Sequence, residues 1–89
     1  MAEYLIELPH TKEECRKAGS QMKDSALLPK VYWGCASGAH TGWAITEAEN
    51  ESAARRLIDS DILRNKARIL QVTKFSKEDI EAYMESTHT

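Results

Sequence analysis

Four residues of this chain have side chains that ligate soft metal ions: His10, Cys15, Cys35 and His40. They come as two pairs, His-x4-Cys and Cys-x4-His, separated by the first helix-like stretch. Two thiolates and two imidazoles suit a tetrahedral site for zinc or nickel. The spacings differ from those of a standard zinc finger, and no Cys-x-x-Cys is present. The same residues allow a plainer reading. Free cysteine is usually a small buried hydrophobe, so Cys15 can be a helix core residue and Cys35 a strand filler. The histidines are then surface turn residues. A redox pair of Cys15 and Cys35 is a third option, and it requires thiols of lowered pKa near a helix N-terminus.

For the four to meet, the intervening elements must bring them to one edge. Glu3 to Leu8 alternates as a strand, with Tyr4, Ile6 and Leu8 on one face and Leu5 and Glu7 on the other. Pro9 is expected to stop it, because proline offers no ladder donor. Thr11-Lys12-Glu13-Glu14 has the form of a capping box, opening a helix to about Lys23 with Cys15, Ala18 and Met22 inward. His10 and Cys15 then occupy the two positions that touch in a hydrophobic staple. Leu27 and Leu28 tuck under the sheet edge, and Pro29 ends any helical turn there.

The stretch from Tyr32 to Glu49 holds both tryptophans, Cys35 and His40. It predicts two strands, Val31 to Ala36 and Thr41 to Glu49, folded back at Ser37-Gly38. Trp33 and Cys35 would share one face of the earlier strand, Trp43 and Ile45 one face of the later. Cys35 and His40 flank the bend. Asn50 caps a helix over 51 to about 59, with Ala54, Leu57 and Ile58 inward and Arg55 and Arg56 in water. Ser60 to Lys66 is a turn or short helix burying Ile62 and Leu63, and Arg68 to Lys74 a fourth strand. Ser76 caps a last helix with Ile80, Tyr83 and Met84 inward, fraying from Glu85.

Length and composition bound the rest. The chain of 89 residues fits one domain, expected to span 1–89. At this size only about 60–65% of the unfolded surface can be buried, so the core is thin. A formal charge of −2 argues against general attraction to nucleic acid or anionic membranes. No apolar run reaches the roughly 20 residues a membrane span needs, and the N-terminus lacks a basic stretch before its apolar run. With two cysteines and no secretory signal, the expected compartment is the cytoplasm.

The predicted order is strand, helix, strand, strand, helix, strand, short helix. Its simplest closure is an α+β plait: a ferredoxin-like βαββαβ domain, with a four-stranded antiparallel sheet and two helices on one face. The other face would carry Trp33, Trp43 and Ile45, more apolar surface than a soluble monomer normally exposes. A homodimer packing two sheets face to face covers it. Over about residues 3 to 84, this element order resembles the dimeric α/β-barrel, ferredoxin-like superfamily. That superfamily includes cofactor-free monooxygenases, muconolactone isomerases, stress-response barrels and small metal-binding proteins.

The resemblance implies an alternative function, a cofactor-independent enzyme or small-molecule binder. Its ligand would lie between helices and sheet or in the dimer cavity. Tyr4, Tyr32, Trp33 and Trp43 are the pocket candidates, with His40 as general base because imidazole titrates nearest neutrality. A further reading is RNA binding, since Thr41 to Ala48 and Tyr4 to Leu8 loosely resemble the paired motifs of an RNA-recognition domain. The match holds at Gly42, Trp43 and Ala44 and fails at Thr41, Ile45 and Ala48. The basic cluster Arg55, Arg56, Arg64, Lys66 and Arg68 is interspersed with Asp59 and Asp61 and predicts a solvated face. No phosphate loop, nucleophile elbow or metalloprotease motif occurs. The favoured expectation is a small dimeric binding or accessory protein whose site is the rim carrying His10, Cys15, Cys35 and His40, a metal being one candidate occupant.

Overall fold

Tyr4, Ile6 and Leu8 are buried while their neighbours along the strand are not, so the period-two pattern of the first strand sets the inner face of the sheet. The computed structural model describes the backbone of residues 1–88 and the side chains of residues 1–83. Among these the elements are β1 (Ala2–Glu7), α1 (Lys12–Met22), β2 (Tyr32–Trp33), β3 (Gly42–Ala48), α2 (Glu51–Arg56), α3 (Asp61–Lys66), β4 (Arg68–Val72) and α4 (Lys77–His88). Short 3-10 turns occupy Leu28–Lys30 and Cys35–Ser37. The fold is α+β, with a four-stranded antiparallel open sheet in the order β2-β3-β1-β4.

The helix starts follow the capping chemistry. Glu14 N–H donates to Thr11 Oγ1 at 3.1 Å and Thr11 N–H donates to Glu14 Oε1 at 2.9 Å, the reciprocal capping box. Asn50 accepts from Ala53 N–H, Ser60 from Leu63 N–H, and Ser76 from Asp79 N–H. The core lies between the inner sheet face and the helices: Tyr4, Ile6, Leu8, Ala44, Ala48 and Ile69 meet Ala18, Met22, Ala54, Ile58 and Leu63. Leu27 joins them, buried, with Leu28 half-buried at its side.

Several expectations are corrected. β2 is two residues long, because Gly34 is followed at once by the turn of Cys35–Ser37. The reversal is therefore a loop over 34–41, not a tight hairpin, and Cys35 stands on no strand face. Trp33 is paired with Gly42 and packs against the core, so it lies on the helix side. Tyr32, opposite Trp43, takes the outer face instead.

Leu57 is 40% exposed rather than buried, because α2 ends at Arg56 and the helical period ends with it. Ile62 is only half-buried, beside fully buried Leu63. Ile80 and Tyr83 are 47% and 52% exposed. The chain leaves β4 through exposed residues 73–76, and the last helix meets Phe75 (ring centroids of Phe75 and Tyr83 5.5 Å apart) instead of the core. α4 extends to His88, through the residues 85–88 at which fraying is expected. The inward placement of Met84 and the end at Thr89 lie outside the described residues.

The basic cluster also departs from a plain solvated face. Arg55 Nη1 donates to the carbonyls of Arg64 at 2.8 Å and Ala67 at 3.2 Å, and Arg64 Nε donates to the carbonyl of Ile58 at 2.9 Å. These two guanidinium groups satisfy carbonyls that the short helices α2 and α3 leave open. No helix among the described residues is long and apolar enough to cross a membrane.

Candidate metal centre

The β1–β3 pairing runs past the formal end of both strands. Leu8 and Gly42 exchange hydrogen bonds of 2.8 and 3.2 Å, and His10 N–H donates to the His40 carbonyl at 3.1 Å. Pro9 falls between these bonded pairs, where no donor toward β3 is required. It therefore does not break the ladder, contrary to the expectation from its missing N–H. The result is that His10 and His40 stand side by side, ring centroids 5.8 Å apart and planes at 69°.

The loop between β2 and β3 delivers Cys35 to the same point. Gly34 N–H donates to the Thr41 carbonyl at 2.8 Å, and Ala39 and Ser37 N–H both return to the Gly34 carbonyl. A Cβ at Gly34 would lie 2.7 Å from the Ala39 oxygen, so only glycine lets the loop close this tightly. Gly38, at φ 92°, supplies the left-handed step that turns the chain back. Cys15 arrives from the first turn of α1, positioned by the Thr11–Glu14 cap.

The four ligand atoms of His10, Cys15, Cys35 and His40 all lie within 4.8 Å of one another. Tetrahedral zinc bonds of about 2.0–2.3 Å put donors about 3.3–3.8 Å apart, so side-chain adjustments of about an ångström close the set on an ion. One contact already has that length: Cys35 Sγ and His10 Nε2 are 3.3 Å apart.

The tautomer of His10 follows from its other nitrogen. Nδ1 is 3.1 Å from the Leu8 carbonyl, which only accepts, so Nδ1 carries the proton and Nε2 presents a lone pair. A second hydrogen bond of this kind is how metal-binding histidines are held and oriented. The Nδ1 of His40 is buried and has no hydrogen-bond partner. A buried imidazole nitrogen on a residue of this cluster, with nothing to bond, is a costly arrangement unless a ligand completes it. Burial first, and the neighbouring Cys15 thiol second, push the Cys35 thiol up from its ordinary value. Without a cation the cysteine is held as a neutral thiol, which donates to His10 Nε2. A bound metal would replace that proton.

The pocket candidates divide between the two faces. Tyr4 is buried in the core, and the Trp33 ring stands 6.3 Å from that of His10 on the helix side. Tyr32 and Trp43 border a hollow of about 350 Å³ on the outer face, with Leu5, Lys30, Ala44 and Ile45. The four thus do not line one cavity. A second hollow, about 300 Å³, lies against the metal candidates and is bordered by Cys15, Gly19, Lys23, Leu28, Trp33 and Cys35.

Sequence reasoning paired His10 with Cys15 and Cys35 with His40. It missed the facing of His10 and His40, and the roles of Gly34 and of the Leu8 carbonyl. The signal was available in the register: Tyr4 opposite Thr46 and Ile6 opposite Ala44 extend by regular steps to His10 opposite His40.

Fold and site together define a small α+β domain with a clustered two-cysteine, two-histidine set. Comparison with protein-family models, with curated proteins and with solved structures gives no match to this chain.

Proposed function

We propose that this chain is a small metal-binding protein that holds one zinc ion through His10 Nε2, Cys15 Sγ, Cys35 Sγ and His40 Nδ1. The observation that carries this reading is the mutual distance of at most 4.8 Å between donors from three separate segments. The tied Nδ1 of His10 and the partnerless Nδ1 of His40 support it. A set of two sulfurs and two nitrogens favours tetrahedral zinc over nickel, which prefers square-planar surroundings. Four protein ligands leave no open position, so the ion serves binding or structure and not hydrolysis. The test is elemental analysis of untagged protein beside a Cys35→Ser variant. About one zinc per chain, lost in the variant, is expected; metal-free protein that also fails to take up added zinc or nickel ends the reading.

The scaffold reading is the ferredoxin-like plait. Read from the other edge the strand order is β4-β1-β3-β2, and β1 and β2 are parallel because both run against β3. This supports a crossover through α1 of the split βαβ kind.

A second copy of the chain is the proposed partner. Leu70, Leu5 and Ile45 are register neighbours across the outer face, and Trp43 and Tyr32 continue the stripe to the β2 edge. Ile45 and Leu70 are 54% and 57% exposed, so the stripe is uncovered in one chain.

The geometry favours these readings over cofactor-free catalysis and RNA binding. His40 stands among metal-ligand atoms, and Tyr4 is turned to the helices, where it offers no stacking surface.

A further inference from the structure

The metal candidates are covered unequally. Cys15 and Cys35 border the hollow of about 300 Å³, whereas the two histidines do not. The two cysteines therefore border an opening that neither histidine does, although His40, like them, is half-buried. His10 is buried, and its ring is fixed by the Leu8 carbonyl.

The opening is made by one residue. Gly19 follows Cys15 by one helical turn, on the same face of α1. Helical side chains lean toward the N-terminus, so a side chain at 19 would lie over Cys15. A Cβ at Gly19 would meet nothing within 4 Å. Nor does the backbone need glycine there: among the described residues the only positive φ belongs to Gly38. Glycine weakens a helix interior relative to alanine, and neither packing nor conformation accounts for it at this position. What it does is leave the Cys15 sulfur uncovered. Leu28 and Trp33 give the hollow apolar walls, and Lys23, one further turn along, also borders it.

Resting on the metal reading above, we infer that this hollow admits a small anionic thiol, which exchanges with Cys15 on the bound ion and so makes the metal transferable. In the step, a bond forms between the metal and the incoming sulfur as the metal–Cys15 bond breaks. The proton of the incoming thiol passes to the departing Cys15 sulfur, and no electrons change hands. The apolar walls accept the body of the thiol, and Lys23 meets its carboxylate. Cys35 and the two imidazoles hold the ion meanwhile.

The probe is 3-mercaptopropionate. Zinc-loaded protein is mixed with an excess of chromophoric chelator, and the transfer rate is followed against thiol concentration, with propionate as the control. In the wild type the rate rises with the thiol and not with propionate. Gly19→Leu, which fills the hollow, slows the thiol-dependent rate by about tenfold or more. Its equilibrium zinc affinity stays within about threefold of wild type. Gly19→Ala strengthens the helix without closing the hollow and keeps a near wild-type rate. Lys23→Gln lowers the thiol-dependent rate. A thiol-independent wild-type rate overturns the inference, as does an unchanged rate in Gly19→Leu or equal slowing in Gly19→Ala. Those results leave zinc binding standing. Failure of the wild type to load with zinc or any soft metal instead removes the metal reading itself, and the two failures are thereby told apart.

Discussion

His10 donates its backbone N–H to the carbonyl of His40 at 3.1 Å, so a β-ladder register sets the distance between the two imidazoles. One pair of candidate ligands is thus built into the sheet, while the two sulfurs come from a helix turn and a loop. Metal binding should accordingly tie helix, loop and sheet together. Excess zinc is expected to raise the melting temperature of the wild type. With free zinc at about a hundred times Kd, the added stability is about 2.7 kcal/mol. Cys35→Ser and His40→Ala should lose most of that increment. Equal zinc-induced shifts in the wild type and both variants, measured by differential scanning calorimetry, would exclude ligation at these positions.

The loop carrying Cys35 and His40 depends on Gly34, where a Cβ would stand 2.7 Å from a backbone oxygen. Gly34→Ala should displace the loop and cost about 1–3 kcal/mol of stability, with a fall in zinc affinity. Gly19→Ala, where a Cβ meets nothing, is the control and should be neutral or stabilising. Urea melts and zinc competition on both variants check this. Full affinity in Gly34→Ala would mean the loop does not position the sulfur.

How much of this was legible beforehand follows from the kind of signal involved. Period-two alternation and cap residues are local, so Tyr4, Ile6 and Leu8 and the Thr11–Glu14 box could be read directly. The convergence of the four candidate ligands could be read because it needs only element order: the rim where the first strand ends is where the next two strands are joined. What was lost depended on register or on where an element stops. Trp33 was put on the outer face with Trp43, although a bend at Ser37-Gly38 already pairs it with Gly42, one residue out of phase with Trp43 and so on the opposite face. Leu57 was counted inward by a periodicity that ended at Arg56. Arg55 looked like a surface charge, since carbonyls left open by neighbouring helices have no sequence signature.

That guanidinium supplies a stability test. Arg55 serves the carbonyls of Arg64 and Ala67 from a partly buried position, while its ion pair with Glu51 is a longer 3.6 Å contact. Arg55→Met keeps the stem and removes both donors. It should cost about 1–3 kcal/mol by urea denaturation, against less than about 1 kcal/mol for Glu51→Gln. Equal costs would show that the carbonyl bonds contribute nothing beyond the surface pair.

Acid should weaken the fold through Glu14. Its carboxyl is lowered to about 2, first by Lys66 at 2.6 Å and then by the Thr11 backbone N–H. A carboxylate depressed on folding contributes stability that is complete above its unfolded value. That contribution is lost as pH falls from about 4.5 through about 2. Glu14→Gln should flatten the pH dependence of stability in this window and change it little between pH values of about 6 and 8. Chemical denaturation at a series of pH values is the measurement, and an unchanged acid slope in the variant would remove Glu14 as its source.

The outer sheet face gives the last test. Leu5, Ile45 and Leu70 are cross-strand neighbours, and Trp43 and Tyr32 extend them toward the β2 edge. Glu7 accepts from the Trp43 indole at 3.3 Å and pairs with Arg68 at 3.6 Å, so charges border the stripe without entering it. If two copies pack these faces together, a charge in the middle must be desolvated with no partner, at a cost of several kcal/mol per interface. Ile45→Glu should therefore convert a dimer to a monomer, while its exposed site keeps the monomer folded. Ala36→Glu, in the exposed loop away from this face, should leave the dimer intact. Sedimentation equilibrium distinguishes the outcomes. A wild type that stays monomeric at concentrations of about 100 μM, weaker than specific interfaces of standard size normally are, would rule out the paired sheets.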